Sequence, residues 1–362
     1  MKNIKKSFPA IQNKKIRAAI VGCGRIFNKH FQSINEHKND IELVSICEIK
    51  EELLRDCQKK YSVLKGYISL VDMLESESLD LVILCTPSGI HAEQAELCAK
   101  YQVNVMTEKP MATSFNDGLR MVKACEDANV RLFVVKQNRK NPTLQLLKRA
   151  IDENRFDKIY MVHLNVFWHR SQEYYNQAPW RGTIKYDGGA FMNQASHYVD
   201  LLDWLIGPLD NLQSMMSTTR DIEVEDTGVL NLKWKKGTLG SMSVTMLTHA
   251  KNLEASITVI GEKGTVRIGG VAMNDIQHWE FLNKKDYDNQ VKEVSYETGS
   301  VYGFGHPLYY RNVIDVLYGK AEPETDGREG LKSLEILVAA YISAKENRII
   351  SLPLRLNEIS KS

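Results

Sequence analysis

The sequence predicts an α/β protein in two parts: an N-terminal doubly wound parallel sheet, then a C-terminal α+β domain with a large, mostly antiparallel open sheet. Three observations predict it. Between residues 16 and 135, short apolar runs alternate with stretches of helical period, the rhythm of a parallel sheet with helices on both faces. The strand expected at residues 80–86 is apolar throughout its interior, 81–85, as expected of a parallel strand buried on both faces. Beyond about residue 137 the pattern changes to long alternating stretches interrupted by one helix. A chain of 362 residues also exceeds the usual size of one domain.

The elements follow in order. Residues 1–15 carry Lys2, Lys5, Lys6, Lys14 and Lys15 around Pro9 and read as a loose arm. Strands are expected at 16–21, 40–47, 80–86, 103–107 and 130–135, with helices at 27–35, 50–60, 91–101 and 114–128 between them. Asn141-Pro142 reads as a cap followed by Pro at the first helical position, leading a helix to about residue 154. The alternating stretches 159–168, 224–234, 239–246, 255–260 and 265–268 read as a sheet with helices on one face. The interrupting helix spans 189–206 and is closed by Gly207-Pro208, and two helices, 307–318 and 331–346, end the chain. The expected divisions are therefore 1–15, 16–137 and 138–362.

Composition bounds the function. Hydrophobic residues are 43% and charged residues 25%, which is ordinary for a globular protein and excludes a disordered or fibrous chain. Lys plus Arg is 47 against 45 Asp plus Glu, so there is no electrostatic case for nucleic acid or an acidic membrane as a partner. No apolar run approaches a membrane span, and the Lys-rich start lacks the apolar stretch of a secretory signal. The six cysteines form no Cys-x-x-Cys pair and all lie within the first 125 residues. Buried thiols in a reducing cytoplasm are expected, rather than disulfides or a metal site.

Gly22-Cys23-Gly24-Arg25-Ile26 sits where the first strand turns into a helix. Gly22 permits the tight turn, and Gly24 lets the backbone approach a pyrophosphate that the helix N-terminus stabilises. The third fingerprint position, usually Gly or Ala, is Phe27, which implies wider helix–strand packing or a shifted helix. Glu48 ends the second strand, where a carboxylate accepts hydrogen bonds from a ribose diol and repels a 2′-phosphate. Together these features predict a Rossmann site for NAD rather than NADP. A plain tight turn and a carboxylate beside a helix start are the competing readings. Thr86-Pro87-Ser88-Gly89 follows the third expected strand at the carboxyl edge of the sheet, as a tight turn, a cofactor-lining loop, or both.

Glu108-Lys109-Pro110 ends the fourth expected strand, and Pro110 biases Lys109 to an extended backbone. A lysine there can point at a cofactor; a surface lysine is the plainer alternative. On the helix 189–206, Asn193 and His197 are four apart and share a face, with Asp200 three further on. Such a pair is explained either by buried hydrogen bonds or by a substrate.

The set Gly22-Cys23-Gly24, His91, Glu108-Lys109-Pro110 and Gly188-Gly189-x3-Asn193-x3-His197-x2-Asp200 resembles the Gfo/Idh/MocA oxidoreductases from about residue 16 onward. Many members of that family have Asp at the Asn193 position. The Asn form, with Lys136-Gln137-Asn138-Arg139, Trp180-Arg181-Gly182 and Gly303-Phe304-Gly305-His306-Pro307-Leu308-Tyr309-Tyr310, is similar to a narrower branch. That branch comprises the UDP-N-acetyl-2-amino-2-deoxyglucuronate 3-dehydrogenases of bacterial O-antigen (lipopolysaccharide) sugar synthesis.

The resemblance implies that Gly22, Gly24, Arg25 and Ile26 meet the NAD pyrophosphate and Glu48 the adenosine ribose. It further implies that Thr86, Pro87, Ser88 and His91 line the cleft, and that Glu108 and Gln137 hold the nicotinamide ribose and ring. Lys109 and His197 become the catalytic pair. His197, with an ordinary pKa near neutral, suits the base. Lys109 suits stabilisation of charge on the same oxygen, and the two roles are interchangeable on sequence grounds. Trp180, Arg181, Asn193, Ser196, Tyr309 and Arg311 complete the expected substrate side. Of these, Arg181 and then Arg311 are candidates for the anionic groups, with ordinary ion pairs as the alternative.

The implied reaction is oxidation of the C3 hydroxyl of UDP-N-acetylglucosaminuronate by NAD. The implied product is a 3-keto sugar for an aminotransferase, with 2-oxoglutarate reoxidising the cofactor. Residues 16–137 then bind the dinucleotide, and residues 138–362 bind substrate and build a cytoplasmic homotetramer. Another sugar or inositol dehydrogenase of the family, and a non-catalytic NAD-binding regulator, are the alternative readings.

Overall fold

The computed structural model describes residues 8–63, 65–298, 301 and 303–359. The chain divides into two units, residues 1–135 with 306–331, and 136–305 with 332–362.

The first unit is built on a six-stranded parallel sheet: β1 (Ile16–Val21), β2 (Ile41–Cys47), β3 (Lys65–Tyr67), β4 (Leu81–Leu84), β5 (Asn104–Thr107) and β6 (Leu132–Val134), ordered β3-β2-β1-β4-β5-β6. The order reverses between β1 and β4, which pair directly from Ala18–Leu81 to Val21–Leu84. The turns leaving these strands are therefore neighbours at the carboxyl edge, where ligands bind in open α/β sheets. The five expected strands are present; β3 and the helix Leu70–Ser76 are additional.

Two further stretches of the chain join this unit. Residues 306–331, which the sequence places with the second part, pack with the first unit. The helix Gly305–Leu317 puts Tyr309, Tyr310, Val313 and Ile314 into the core with Ile20, Phe27 and Phe133. The arm is not loose where it is described: Ile11 N–H donates to Leu317 O (2.8 Å), and the Arg131 guanidinium lies 4.0 Å from the Phe8 ring. Residues 1–7 of the expected arm lie outside the described residues.

The second unit carries the large sheet: β7 (Ile159–Phe167), β8 (Leu209–Ser217), β9 (Thr227–Trp234), β10 (Leu239–Thr245), β11 (Glu254–Gly261), β12 (Gly264–Gly269), β13 (Asp275–Phe281) and β14 (Ile350–Ser351). Its order is β13-β12-β11-β7-β10-β9-β8-β14, antiparallel except where β7 meets β10. Along β9, buried and exposed residues alternate, so one face of the strand is covered.

The expected helix 189–206 is two pieces. Residues Ala190–Gln194 form a π-turn, closed by Ala195 N–H to Ala190 O (2.8 Å), and the α-helix runs only over Ser196–Ile206. Asn193 and His197 therefore do not share one regular helical face. Single π-turns of this kind are frequent at functional sites.

Candidate active site

In the first unit the site begins at the turn after β1. Gly22 has φ +97°, and a Cβ there would stand 2.7 Å from Cys85 O, so β1 and β4 approach as closely as they do because residue 22 is glycine. Nothing lies within 4 Å of a Cβ built on Gly24, and Gly24 and Arg25 are exposed, with Ile26 half-buried. This leaves backbone open for a pyrophosphate at the start of the helix Phe27–Glu36. Phe27 is 1% exposed, and its ring fills the helix–sheet interface against Phe31 and Tyr61. Glu48 spans the turn: one oxygen accepts Cys23 N–H (3.0 Å), the other Lys50 N–H (3.1 Å). Its half-buried carboxylate retains lone pairs for a ribose diol, so the residues present fit NAD.

The turn after β4 is braced from within. Thr86 donates to Gln94 Oε1 (2.6 Å), and Ser88 is buried beyond Pro87. His91 is fully buried, with Nε2 2.9 Å from Thr86 O and Nδ1 3.2 Å from Pro110 O. It thus bridges the Thr86 turn and the Lys109-Pro110 turn. Burial outweighs these carbonyl contacts and holds its pKa down.

Glu108 has partners of its own. His30 Nε2 lies 3.0 Å and His306 Nε2 3.6 Å from Oε1, while Oε2 accepts Lys109 N–H at 3.2 Å. Tyr310 Oη in turn meets His30 Nδ1 at 2.8 Å. Burial pushes the Glu108 carboxyl up, but His30 and His306 outweigh it and keep it well below the usual range. His30, Glu108 and His306 offer three possible metal ligand atoms within 4.8 Å of one another. The His30 hydrogen bond already engages Oε1, and the cluster reads as support for the Glu108-Lys109 turn. Two expected substrate residues have other partners in this unit. Tyr309 is buried and donates to Val134 O (2.9 Å), and Arg311 pairs with Asp40 and Asp315.

In the second unit, Gln137 Nε2 meets His197 Nε2 at 2.8 Å, and both residues are buried. Asp200, on the same helix as His197, takes a bidentate contact from Arg139, both bonds 2.7 Å, with Lys136 Nζ 3.5 Å away. Ser196 donates to Asn193 O (3.3 Å), and the Asn193 amide donates to Asp187. Arg181 lies over Tyr174 (4.3 Å) and Trp180 (4.9 Å) and lines a cavity of about 380 Å³ with Asp221 and Glu223. Its buried Nε has no hydrogen-bond partner among the described residues.

Sequence reasoning missed the acids behind this segment. Glu225 accepts Phe191 N–H and Tyr341 O–H, both 2.8 Å, and a Cβ on Gly189 would fall 2.1 Å from its carboxylate. Burial, with Asp187 adding, pushes the Glu225 carboxyl from 4.5 up to about 7. The signal was present: two adjacent acids, Glu225-Asp226, break the alternation at the start of the strand expected over 224–234, and Asp187 precedes Gly188-Gly189.

A raised carboxyl stabilises the fold fully below its unfolded pKa and loses that contribution as pH rises through the folded value. Stability should therefore fall between about pH 4.5 and 7, by on the order of 3 kcal/mol for a wholly buried group. Glu225→Gln should flatten that slope in thermal midpoints taken across the window. An unchanged slope would remove Glu225 as its source.

The oxidoreductase-family model for the NAD-binding Rossmann fold matches residues 16–136, and the model for its C-terminal α/β domain matches 148–352. The structure of the WlbA dehydrogenase from Chromobacterium violaceum in complex with NADH and UDP-GlcNAcA superposes with a TM-score of 0.92 at 57% identity, covering 96% of this chain and 99% of that one. The WlbA dehydrogenase from Bordetella pertussis, in complex with the same two molecules, gives 0.93 at 55% identity, covering 95% and 100%. Myo-inositol 2-dehydrogenase of Thermotoga maritima is 25% identical over 93% of this chain and 98% of its own.

Proposed function

The chain belongs to the Gfo/Idh/MocA oxidoreductase family, and from that premise we propose that it oxidises the C3 hydroxyl of UDP-N-acetylglucosaminuronate to the 3-keto sugar with NAD. The observation that carries this reading is the 55–57% identity, over nearly the whole chain, to two dehydrogenases solved with NADH and UDP-GlcNAcA. The Gly22–Ile26 turn and Glu48 support the cofactor choice.

Oxidising a CH–OH group removes a hydride and a proton. NAD, when bound, supplies the hydride acceptor at the nicotinamide C4. The protein supplies the proton acceptor, for which His197 is the candidate, and a donor to the oxygen, for which Lys109 is the candidate. Gln137 sets what His197 can do. With its amide N–H on Nε2, the ring proton resides on Nδ1. With the amide turned over, Gln137 Oε1 accepts Nε2–H at the same spacing, and Nδ1 takes the substrate proton. Base chemistry at Nδ1 therefore requires Gln137 to present its carbonyl, which then stabilises the imidazolium.

Arg181 is the proposed partner for the anionic substrate, and its unpartnered buried Nε supports this. Incubation with NAD and UDP-N-acetylglucosaminuronate should produce NADH absorbance and a 3-keto sugar, while free hexoses and inositols should not. Turnover of myo-inositol, with none of the nucleotide sugar, would replace this reading by that of an inositol dehydrogenase. Arg181→Ala should raise KM for the uronate by roughly 10- to 100-fold, the range of a charge-assisted hydrogen bond, and leave NAD affinity unchanged. An equal rise for neutral UDP-N-acetylglucosamine would place the contact away from the carboxylate.

The same reading extends to a cytoplasmic homotetramer in lipopolysaccharide O-antigen synthesis. Its product passes to an aminotransferase, and 2-oxoglutarate reoxidises NADH. The six free cysteines support a reducing compartment. Among the described residues no helix is long and apolar enough to cross a membrane.

A further inference from the structure

We infer that Asp187 is a positioning residue for Asn193, and that its carboxylate is the reason position 193 carries an amide rather than an acid. The inference rests on the proposed reading only in placing Asn193 against the substrate.

Asp187 is buried, with 3% of its surface exposed, and both of its oxygens are engaged within the second unit. Oδ2 accepts Gly182 N–H at 2.6 Å, and Oδ1 accepts the Asn193 amide. One carboxylate thus ties the Trp180-Arg181-Gly182 loop to the π-turn Ala190–Gln194. Gly182 has φ +69°, a conformation that glycine adopts freely, so its N–H reaches Asp187 without backbone strain.

The contact fixes which way the Asn193 amide faces. Turned over, its carbonyl oxygen would stand against a carboxylate oxygen, acceptor against acceptor. Asp187 therefore keeps the nitrogen inward. The carbonyl oxygen is then directed away from Asp187, and the side chain is held in one orientation.

A carboxylate at position 193 would oppose Asp187 directly, in a buried site that already holds Glu225. Like charges so placed cannot both ionise cheaply, so one must bind a proton or move. Exchanging the two residues restores one amide and one carboxylate. The amide now at position 187 would accept Gly182 N–H through its oxygen and donate through its nitrogen to the carboxylate at position 193.

The test is a double-mutant cycle with Asn193→Asp, Asp187→Asn and the exchanged pair, read both in NAD-linked turnover of UDP-N-acetylglucosaminuronate and in thermal midpoint. Each single variant should lose on the order of tenfold to a hundredfold in kcat/KM, mainly through KM, as for directly contacting polar groups. The exchanged pair should recover to within a few-fold of the parent, and its midpoint should exceed that of Asn193→Asp. Losses that multiply in the pair, with a midpoint no higher than the worse single variant, overturn the inference. Should Asn193→Asp fail to fold, recovery of folded protein in the exchanged pair supports the inference, and failure of both overturns it. If the parent does not turn over the uronate, the proposed function fails, and the midpoints still decide the Asp187–Asn193 coupling.

Discussion

Lys109→Ala and His197→Ala should each slow hydride transfer by roughly a hundred- to ten-thousand-fold, the usual contribution of a positioned acid or base. On the proposed reading, in which both groups serve one proton transfer, the double variant should be only a little worse than either, because such groups are strongly non-additive. Each residue has a fixed setting in its own unit. Lys109 follows β5, and its N–H is held by Glu108, whose other oxygen is engaged by His30. His197 opens the helix Ser196–Ile206 with Nε2 against Gln137. NAD binding should persist in all three variants, since Gly22, Gly24 and Glu48 are untouched. Single-turnover NADH formation and NAD titration separate these outcomes. Near-normal NADH formation by His197→Asn would end its assignment as base and leave Lys109 or water as proton acceptor. Additive losses would mean that the two groups serve different steps.

The parts of the structure legible in the sequence are those whose cause is local. The Gly22 turn is one, because a positive φ and a 2.7 Å approach to Cys85 O demand glycine whatever lies elsewhere. The fully buried β4 is another, since its run of Leu-Val-Ile-Leu fits a strand covered on both faces. What stayed hidden is set by distant partners. β3 is three residues long and exists by pairing with the end of β2. β8 reads Leu-Asp-Asn-Leu-Gln-Ser-Met-Met-Ser, too polar to stand out before β9 pairs with it. The helix Gly305–Leu317 joins the first unit through Tyr309 to Val134, a contact 175 residues apart that no local pattern reveals. The π-turn at Asn193 depends in the same way on Glu225 and Tyr341, which accept Phe191 N–H and Met192 N–H from afar. The candidate residues were thus visible as residue types, but their orienting partners were not.

Asp200→Ala should cost about 3–5 kcal/mol of folding stability, the range for removing one partner of a buried ion pair. The carboxylate is 2% exposed and faces two cations that are themselves buried, Arg139 with both bonds at 2.7 Å and Lys136 at 3.5 Å. Lys136 keeps a bond to Ser333 Oγ (2.6 Å), but Arg139 loses its bidentate acceptor. Asp200→Asn preserves the shape and one acceptor, yet leaves both charges unbalanced, so it should rescue little. Burial pushes the Asp200 carboxyl up, and Lys136 and Arg139 outweigh it and hold it below the usual range. For a lowered carboxyl the stabilisation is present above its unfolded pKa and is lost as pH falls through the folded one. The parent should therefore show an acid limb below about pH 4, near the unfolded carboxyl value, that Asp200→Asn largely lacks. Activity should follow, because Gln137 and Arg139 share the short turn Gln137–Lys140 while His197 and Asp200 share one helix. Releasing Arg139 frees that turn and with it the Gln137 amide that selects the His197 tautomer. Urea midpoints for the parent, Asp200→Asn and Asp200→Ala measure the first effect, and kcat on the folded fraction measures the second. A loss below about 1 kcal/mol, the range of an exposed pair, would show that Asp200 is solvated and that the helix and the turn hold together without it.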